Sequence, residues 1–430
     1  MLLNTPSSTQ EHEITVDRLC AIILAGGLGL RLRTAVPDAP KCMAPIAGKP
    51  FLSYVINYMR LQGVREFVFA LGYKAQVIQD FLALEYPTLI YTTVTEEMPL
   101  GTGGAIALAL EQTTAATVLV LNGDTIFEVD VAAALHFHFD KKAECTLNLK
   151  RLQAFNRYGV VQTDHAGNIL SFDEKNFCKD GLINGGVYLL NREAFLRRSL
   201  PRLFSFENDY LCHYYKEGIF YGCEQRGYFI DIGIPEDYDK AGRDLKPPQL
   251  QLEKVDKSWT LFLDRDGVIN EELPGTYVTN WEQFVFCEGV LASVYRLASR
   301  FGRVIVVTNQ RGVGRGLMTR ETIDSIHDLM RKQFETAGCK IDAVYYCTEV
   351  APVAFCRKPN PGMAVQARQD FPEIDFQKSV MVGNKESDIA FARAAGMFAV
   401  YIAATGDNSS TFNSIPDATC ASLAQFALDL

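Results

Sequence analysis

Between Leu19 and Val120, short apolar runs alternate with longer stretches in which apolar residues return every three or four positions. The runs Ala21–Leu24, Phe67–Leu71 and Val118–Leu121 predict strands, and Phe51–Leu61 predicts an amphipathic helix. This alternation predicts a parallel sheet with helices on its faces. The pattern changes after Glu144: strand-like pieces at Thr146–Lys150, Gly159–Thr163 and Ile183–Leu190, separated by Gly and Asp turns, predict an antiparallel patch beside the main sheet, suited to a substrate lid. A helix is expected over Pro235–Arg243. The segment DLKPPQLQLEKVDKS follows, and its paired prolines and charges can neither continue a helix nor contribute a core. Strand and helix alternation restarts at Trp259 and continues through Val304–Val307, Val380–Val382 and Phe398–Ile402. The chain therefore divides into one α/β domain over residues 18–243, a linker over 244–258 and a second α/β domain over 259–430, with no internal repeat.

Composition narrows the function classes. With 430 residues, 48% of them apolar, there is enough chain for two packed cores. The net charge of −9 supplies no basic field for a nucleic acid, although a few placed cations can still hold small anions. No apolar run approaches the ~20 residues needed to span a bilayer, and the polar start, Met1–Asp17, lacks the order of a secretory signal. Eleven cysteines, scattered singly as at Cys20, Cys145 and Cys212, read as reduced thiols, most of them buried, in a cytoplasmic protein.

Two stretches carry phosphate chemistry. In the first, LAGGLGLRLR (Leu24–Arg33), a Gly-rich turn follows a strand, and such a turn bares backbone N–H groups to a phosphate. It continues into APKCMAPIAGKPFL, with Lys41 and Lys49, then PLGTGGA and LNGD. From about Cys20 to Ala241 these motifs and their order resemble the sugar-phosphate nucleotidyltransferase family. The resemblance implies a Rossmann-like (GT-A-like) fold in which Leu24, Ala25 and the backbone of Gly26, Gly27 and Gly29, with Arg31, hold the nucleotide phosphates. Lys41 would stabilise charge on the α-phosphate, while Gly101, Thr102 and Gly103 would lie under the base and Glu96 would accept from its edge. Asp124 and Asp231 match the paired metal-binding aspartates. Sugar recognition would fall to Tyr158, Gly159, Glu174, Lys175 and Asn184. Leu30 departs from the family, standing where many members carry Thr or Ser.

The second stretch is FLDRDGVIN (Phe262–Asn270), an aspartate ending a strand with another two residues on. It resembles the haloacid dehalogenase (HAD) superfamily of phosphotransferases and implies Asp264 as nucleophile and Asp266 as acid and base. TNQ, CRKPNPGM and MVGNKESD follow in order and resemble the histidinol-phosphate and heptose bisphosphate phosphatase branch, over about Trp259–Thr405 and with little or no cap. Thr308 would donate to the phosphoryl group and Lys358 would neutralise it, with Asn309, Arg315 and Arg357 holding the sugar phosphate. Asp264, Asp266, Asn384 and Asp388 would hold Mg²⁺. The branch usually has Asp at Asn384, so one negative charge is missing. Only Cys347 and Cys356 remain of a zinc loop, and two thiols do not complete a tetrahedral site, so no structural zinc is expected.

The two resemblances together imply a bifunctional enzyme with Mg²⁺ in both domains, acting on heptose 1,7-bisphosphate, then on heptose 1-phosphate with GTP or another nucleoside triphosphate. RYGVVQTD, LINGGVYLL and YFIDIGIPEDY also resemble heptose 1-phosphate guanylyltransferases. The residues themselves leave open the base, self-association and an alternative in which the first domain serves another sugar 1-phosphate (mannose, glucose or N-acetylmuramate types) and the phosphatase domain, with Asn384, is weak or inactive. A non-catalytic sugar-phosphate sensor is the alternative of another class; retention of a nucleophile argues against it. No nucleic acid or membrane partner is expected.

Overall fold

The computed structural model describes residues 15–27, 32, 36, 39–403 and 412–430. The chain divides into two compact units between Lys246 and Pro247.

The first unit is built on a seven-stranded sheet. Across it the strands run Phe220–Gln225, Cys145–Phe155, Cys178–Asn191, Thr117–Asn122, Cys20–Ala25, Glu66–Leu71 and Ile90–Thr95. The last four are mutually parallel. Side chains alternate between the two faces, and both faces are covered: Ala21, Ile23, Phe67 and Leu119 pack into one core, Ile22, Val68, Val118 and Val120 into the other. Burial on both sides explains why these strands are apolar at nearly every position.

The antiparallel region differs from the sequence expectation. Cys145–Phe155 and Cys178–Asn191 are not a patch beside the sheet but members of it. The 14-residue strand Cys178–Asn191 pairs antiparallel with Thr117–Leu121 through its second half and with Cys145–Phe155 along most of its length. Only Val161–Thr163 and Ile169–Phe172 form a separate two-stranded ribbon. The strand is long enough to serve both neighbours, and the Gly185–Gly186 break lies where its register shifts.

The second unit holds a six-stranded sheet, all parallel, ordered Ala343–Cys347, Arg303–Asn309, Thr260–Leu263, Ser379–Gly383, Phe398–Ile402 and Ala418–Cys420. Leu261, Leu263, Val306, Val380 and Val382 share one core with the helix Val290–Arg300, whose buried positions Val290, Val294 and Leu297 lie on one face. In each unit the first strand lies between the second and the fourth, so chain connections diverge on either side of it. Where connections diverge in this way, the loops at the carboxyl ends of the strands separate, and that point is the general binding position of open α/β sheets. In the first unit that point is flanked by Gly26 and by Asn122–Asp124, in the second by Asp264 and by Asn384–Asp388.

Two candidate active sites

In the first unit, three residues from distant parts of the chain converge. Lys41 begins a short 3₁₀ turn, Asp124 follows the strand Thr117–Asn122, and Asp231 ends the strand Phe229–Asp231, which pairs with Thr125–Phe127. Lys41 Nζ donates to Asp124 Oδ2 at 2.5 Å and to Asp231 Oδ1 at 3.0 Å. Burial pushes the Lys41 ammonium down, but the two carboxylates outweigh it and raise its pKa. Asp231 Oδ1 also accepts from Gly233 N, and Ile232 N donates to the Asp124 carbonyl, so backbone bonds fix both aspartates. Tyr158 stacks edge-on against Phe229, and burial followed by the Asp231 charge pushes its hydroxyl up to about 12.

The other residues expected in this site are placed more variously. Leu24 and Ala25 end the first strand, and Gly26 lies against Gly72 near the Glu96 carboxylate. Gly27 is open. Gly29, Leu30 and Arg31 lie outside the described residues. Glu96 Oε2 accepts from Leu100 N at the start of the helix Gly101–Leu110. A Cβ on Gly103 would lie 2.1 Å from the Phe204 ring, and the Thr102 hydroxyl donates to Glu207 and accepts from Phe206 N. These small residues are thus required by packing against the Phe204 segment, and the Thr102 hydroxyl is already engaged. Asn184 donates to the Tyr188 hydroxyl and accepts from Gly186 N. A Cβ on Gly159 would meet the Asp173 carbonyl at 2.6 Å. Glu174 and Lys175 are exposed; Glu174 lines a cavity of about 470 Å³ with Arg151, Gln162 and Asp180, whose lining includes neither Lys41 nor its two aspartates.

In the second unit the strand ends bring Asp264, Lys358 and Asp388 together, all nearly inaccessible to solvent. Lys358 Nζ lies 2.8 Å from Asp264 Oδ1 and 2.6 Å from Asp388 Oδ1, and donates to the Val307 carbonyl. Burial, then the Asp388 charge, pushes the Asp264 carboxyl up against the opposing pull of Lys358. Asp266 is held by donors on both oxygens: Arg265 through Nε and Nη2, Asn270 Nδ2 and Gln310 Nε2. Burial would raise its pKa, but the Arg265 guanidinium and these donors hold it below the usual carboxylate range. Gln310 Nε2 also donates to the Thr308 hydroxyl.

A cavity of about 460 Å³ opens over these groups. Its lining adds Arg311, Arg315 and Arg357, together with Tyr277, Glu272 and Lys385. None of the three guanidiniums forms an ion pair with a carboxylate among the described residues. Partial burial and the charges of Arg311 and Arg315 lower the pKa of Arg357. Asn309 also borders the cavity, yet its amide clamps the Lys358 backbone, accepting from Lys358 N and donating to its carbonyl. Of the groups around Asp264, sequence reasoning passed over Arg265, Gln310, Asn270, Arg311, Glu272 and Lys385. Most lay inside quoted motifs, but only the fold shows which way each side chain turns.

The donor sets suit a hard divalent cation. Asp264 and Asp388 set two carboxyl groups against one ammonium, as do Asp124 and Asp231. Asn384 Oδ1 is shielded from solvent and accepts no hydrogen bond, while its Nδ2 donates to Glu272. Gly267, at φ +86°, leaves room for it, since a Cβ there would meet Asn384 Nδ2 at 2.0 Å. Among the described residues no three His, Cys, Asp or Glu side chains converge on a point. Mg²⁺ is commonly held by one or two carboxylates plus substrate phosphates, so this is no obstacle. One cysteine expectation is corrected: Cys347 and Cys356 are joined in a disulfide, with Cα atoms 5.5 Å apart, rather than standing as reduced thiols. The pairing brings the end of the strand Ala343–Cys347 to the loop that carries Lys358. None of the helices among the described residues is long and apolar enough to cross a membrane.

The nucleotidyl transferase family model matches residues 20–247, just over half of the chain, and a HAD-hydrolase-like model matches residues 355–426. The D-glycero-alpha-D-manno-heptose 1-phosphate guanylyltransferase of Aneurinibacillus thermoaerophilus is 44% identical over 226 residues, 53% of this chain and 98% of that protein. The D-glycero-alpha-D-manno-heptose-1,7-bisphosphate 7-phosphatase of Mycobacterium bovis is 34% identical over 177 residues, 41% of this chain and 93% of that protein. A mannose-1-phosphate guanylyltransferase of Mycobacterium tuberculosis is 34% identical over 236 residues, 52% of this chain and 64% of that protein. With the strand order, the glycine turn and the Asp264 centre, these matches establish that the chain belongs to the nucleotidyl transferase family through its first unit and to the HAD-like phosphatases through its second.

Proposed function

We propose that the chain is a cytoplasmic bifunctional enzyme of nucleotide-activated heptose synthesis, with catalytic domains at 18–243 and 259–430 joined by a linker at 244–258. The second domain removes the 7-phosphate of D-glycero-D-manno-heptose 1,7-bisphosphate, and the first transfers GMP from GTP to the heptose 1-phosphate so formed. The observation that carries this reading is the second cavity, where a buried Asp264–Lys358 pair shares one space with three guanidiniums that have no carboxylate partner among the described residues. Such a lining suits a ligand with two phosphates, one to be cleaved and one to be held.

In the phosphatase, an Asp264 carboxylate oxygen attacks phosphorus and the phosphorus bond to the sugar oxygen breaks. Asp266 takes up a proton from water as the phosphorylated substrate binds and passes it to that oxygen. Water then attacks the aspartyl phosphate, its proton returns to Asp266, and phosphate leaves. Arg265 keeps Asp266 ionised at rest, and the negative charge of a bound phosphoryl group opposes this by raising the pKa of the neighbouring carboxyl. Lys358 and Thr308 neutralise and orient the phosphoryl oxygens. Asp264, Asp388, Asn384 Oδ1 and the Asp266 carbonyl would hold Mg²⁺, whose charge assists phosphoryl transfer.

In the transferase no protein nucleophile is needed. A sugar-phosphate oxygen attacks the α-phosphorus in line, the bond to the bridging oxygen breaks and pyrophosphate leaves. Lys41 neutralises the charge that gathers on the α-phosphate, Asp124 and Asp231 would hold Mg²⁺, and Tyr158 beside Asp231 orients the sugar phosphate. A second reading, mannose 1-phosphate as acceptor, is favoured by the mannose-1-phosphate guanylyltransferase likeness. Incubating the protein with each nucleoside triphosphate against heptose and mannose 1-phosphates, and measuring pyrophosphate, decides between them. No pyrophosphate from any pair would sink both.

A further inference from the structure

We infer that Arg265, with His327 behind it, is a positioning residue that aims the Asp266 carboxyl at the sugar oxygen. The inference rests on the phosphatase reading of this unit. Arg265 is the largest fully buried side chain among the described residues, and a buried guanidinium is costly unless its donors are satisfied. Its Nη2 donates to Asp266 Oδ1 at 2.8 Å and to Oδ2 at 3.0 Å, and Nε donates to Oδ1 at 3.2 Å. On the far side, Nη1 lies 3.2 Å from His327 Nε2. Burial and the Arg265 charge lower the pKa of His327 to about 3, so the imidazole is neutral and accepts from the guanidinium. The Phe284 ring, 5.8 Å from the guanidinium carbon, flanks it.

The arrangement is a chain of three: His327 on the helix Arg320–Thr336 fixes the guanidinium, and the guanidinium fixes the carboxylate. Rotation of Asp266 would break three bonds to Arg265 and those to Asn270 and Gln310. Asp264 is held differently, by the Arg265 backbone N–H and by Lys358, neither of which needs the Arg265 side chain. The two carboxylates therefore depend on separate supports, and attack by Asp264 is separable from proton transfer by Asp266.

This separation is the test. An alkyl phosphate needs its leaving oxygen protonated, whereas p-nitrophenolate leaves unaided. With p-nitrophenyl phosphate, the full-length Arg265→Lys protein should release a burst of about one p-nitrophenol per chain and then turn over roughly 100-fold more slowly than wild type, because only the water step needs a positioned Asp266. With the heptose bisphosphate it should show no burst. His327→Leu should give the same pattern in weaker form, and His327→Gln, which restores an acceptor, should return it towards wild type. Loss of the burst together with turnover, or unchanged rates on both esters, would overturn the assignment of Arg265. Absence of phosphate release by the wild type from either ester would take down the phosphatase reading and this assignment with it.

Discussion

Lys41 and Asp231 are 190 positions apart in the sequence, yet the ammonium of one donates to the carboxylate of the other at 3.0 Å. Their meeting depends on the short pairing of Phe229–Asp231 with Thr125–Phe127, which delivers Asp231 beside Asp124. The centre is self-neutralising only in part, since two carboxylates face one ammonium, and the remaining negative charge is what a divalent cation would cancel.

Replacing Lys41 by Ala is expected to lower nucleotidyl transfer by about 10²–10³-fold, the usual cost of removing a charge aimed at a transition state. Phosphate release from the heptose bisphosphate should persist, as Asp264 and Lys358 belong to the other unit. Parallel assays of pyrophosphate and phosphate on one preparation check this. Equal loss of both would point to misfolding.

Asp264→Asn is expected to abolish phosphate release, because an amide cannot form the aspartyl phosphate. Lys358 keeps Asp388 as a partner, so the variant should fold. Supplied with heptose 1-phosphate and GTP it should still make the sugar nucleotide; supplied with bisphosphate and GTP it should make none. Chromatography of the two mixtures separates the outcomes, and steady phosphate release by the variant would remove Asp264 from the mechanism.

If Arg311, Arg315 and Arg357 hold the second phosphate, Arg357→Ala should raise KM for the bisphosphate by roughly 10–100-fold, the range of a lost charge-assisted hydrogen bond. A heptose 7-monophosphate, which offers nothing to that subsite, should be hydrolysed with nearly unchanged KM. Equal effects on the two substrates would place Arg357 at the cleaved phosphate instead.

Acid should weaken the first unit through His138, which is 1% exposed and shares a 2.9 Å hydrogen bond with Thr146 Oγ1. Burial lowers its pKa from 6.5 to about 4. The unfolded chain therefore binds the extra proton between those values, and stability falls as pH drops from 6.5 towards 4, by roughly 3 kcal/mol at most, before levelling. Denaturant unfolding across that range should show the slope in wild type and a flatter curve in His138→Gln. Circular dichroism is the suitable probe, since both tryptophans, Trp259 and Trp281, lie in the second unit. An identical slope in the variant would exclude His138 as its source.

Much of this protein was legible locally. A strand buried on both faces must be apolar at nearly every position, so Ala21–Leu24, Phe67–Leu71, Val304–Val307 and Val380–Val382 announced themselves, and each is a strand of a central sheet. Reactive groups at the ends of such strands were also visible, because a polar residue directly after an apolar run stands where the sheet opens to solvent. Asp264 is of this kind, and Asp124 lies just beyond Asn122 and Gly123 at the end of another such run. Tertiary structure decided what depends on distant partners. Strand pairing is a long-range choice, and only the fold placed Cys178–Asn191 inside the main sheet rather than in a separate lid. The Thr102 hydroxyl and the Asn309 amide have local sequences consistent with ligand contact, but Glu207 and Lys358 respectively claim them. Cys347 and Cys356 read as two isolated thiols until the turn between them closed. Arg265 lies between Asp264 and Asp266 in the sequence, yet nothing in the motif says that its side chain is buried and bonds Asp266 on one side and His327 on the other. The second acceptor, His327, is 62 residues away, and a buried guanidinium turns to wherever acceptors are available.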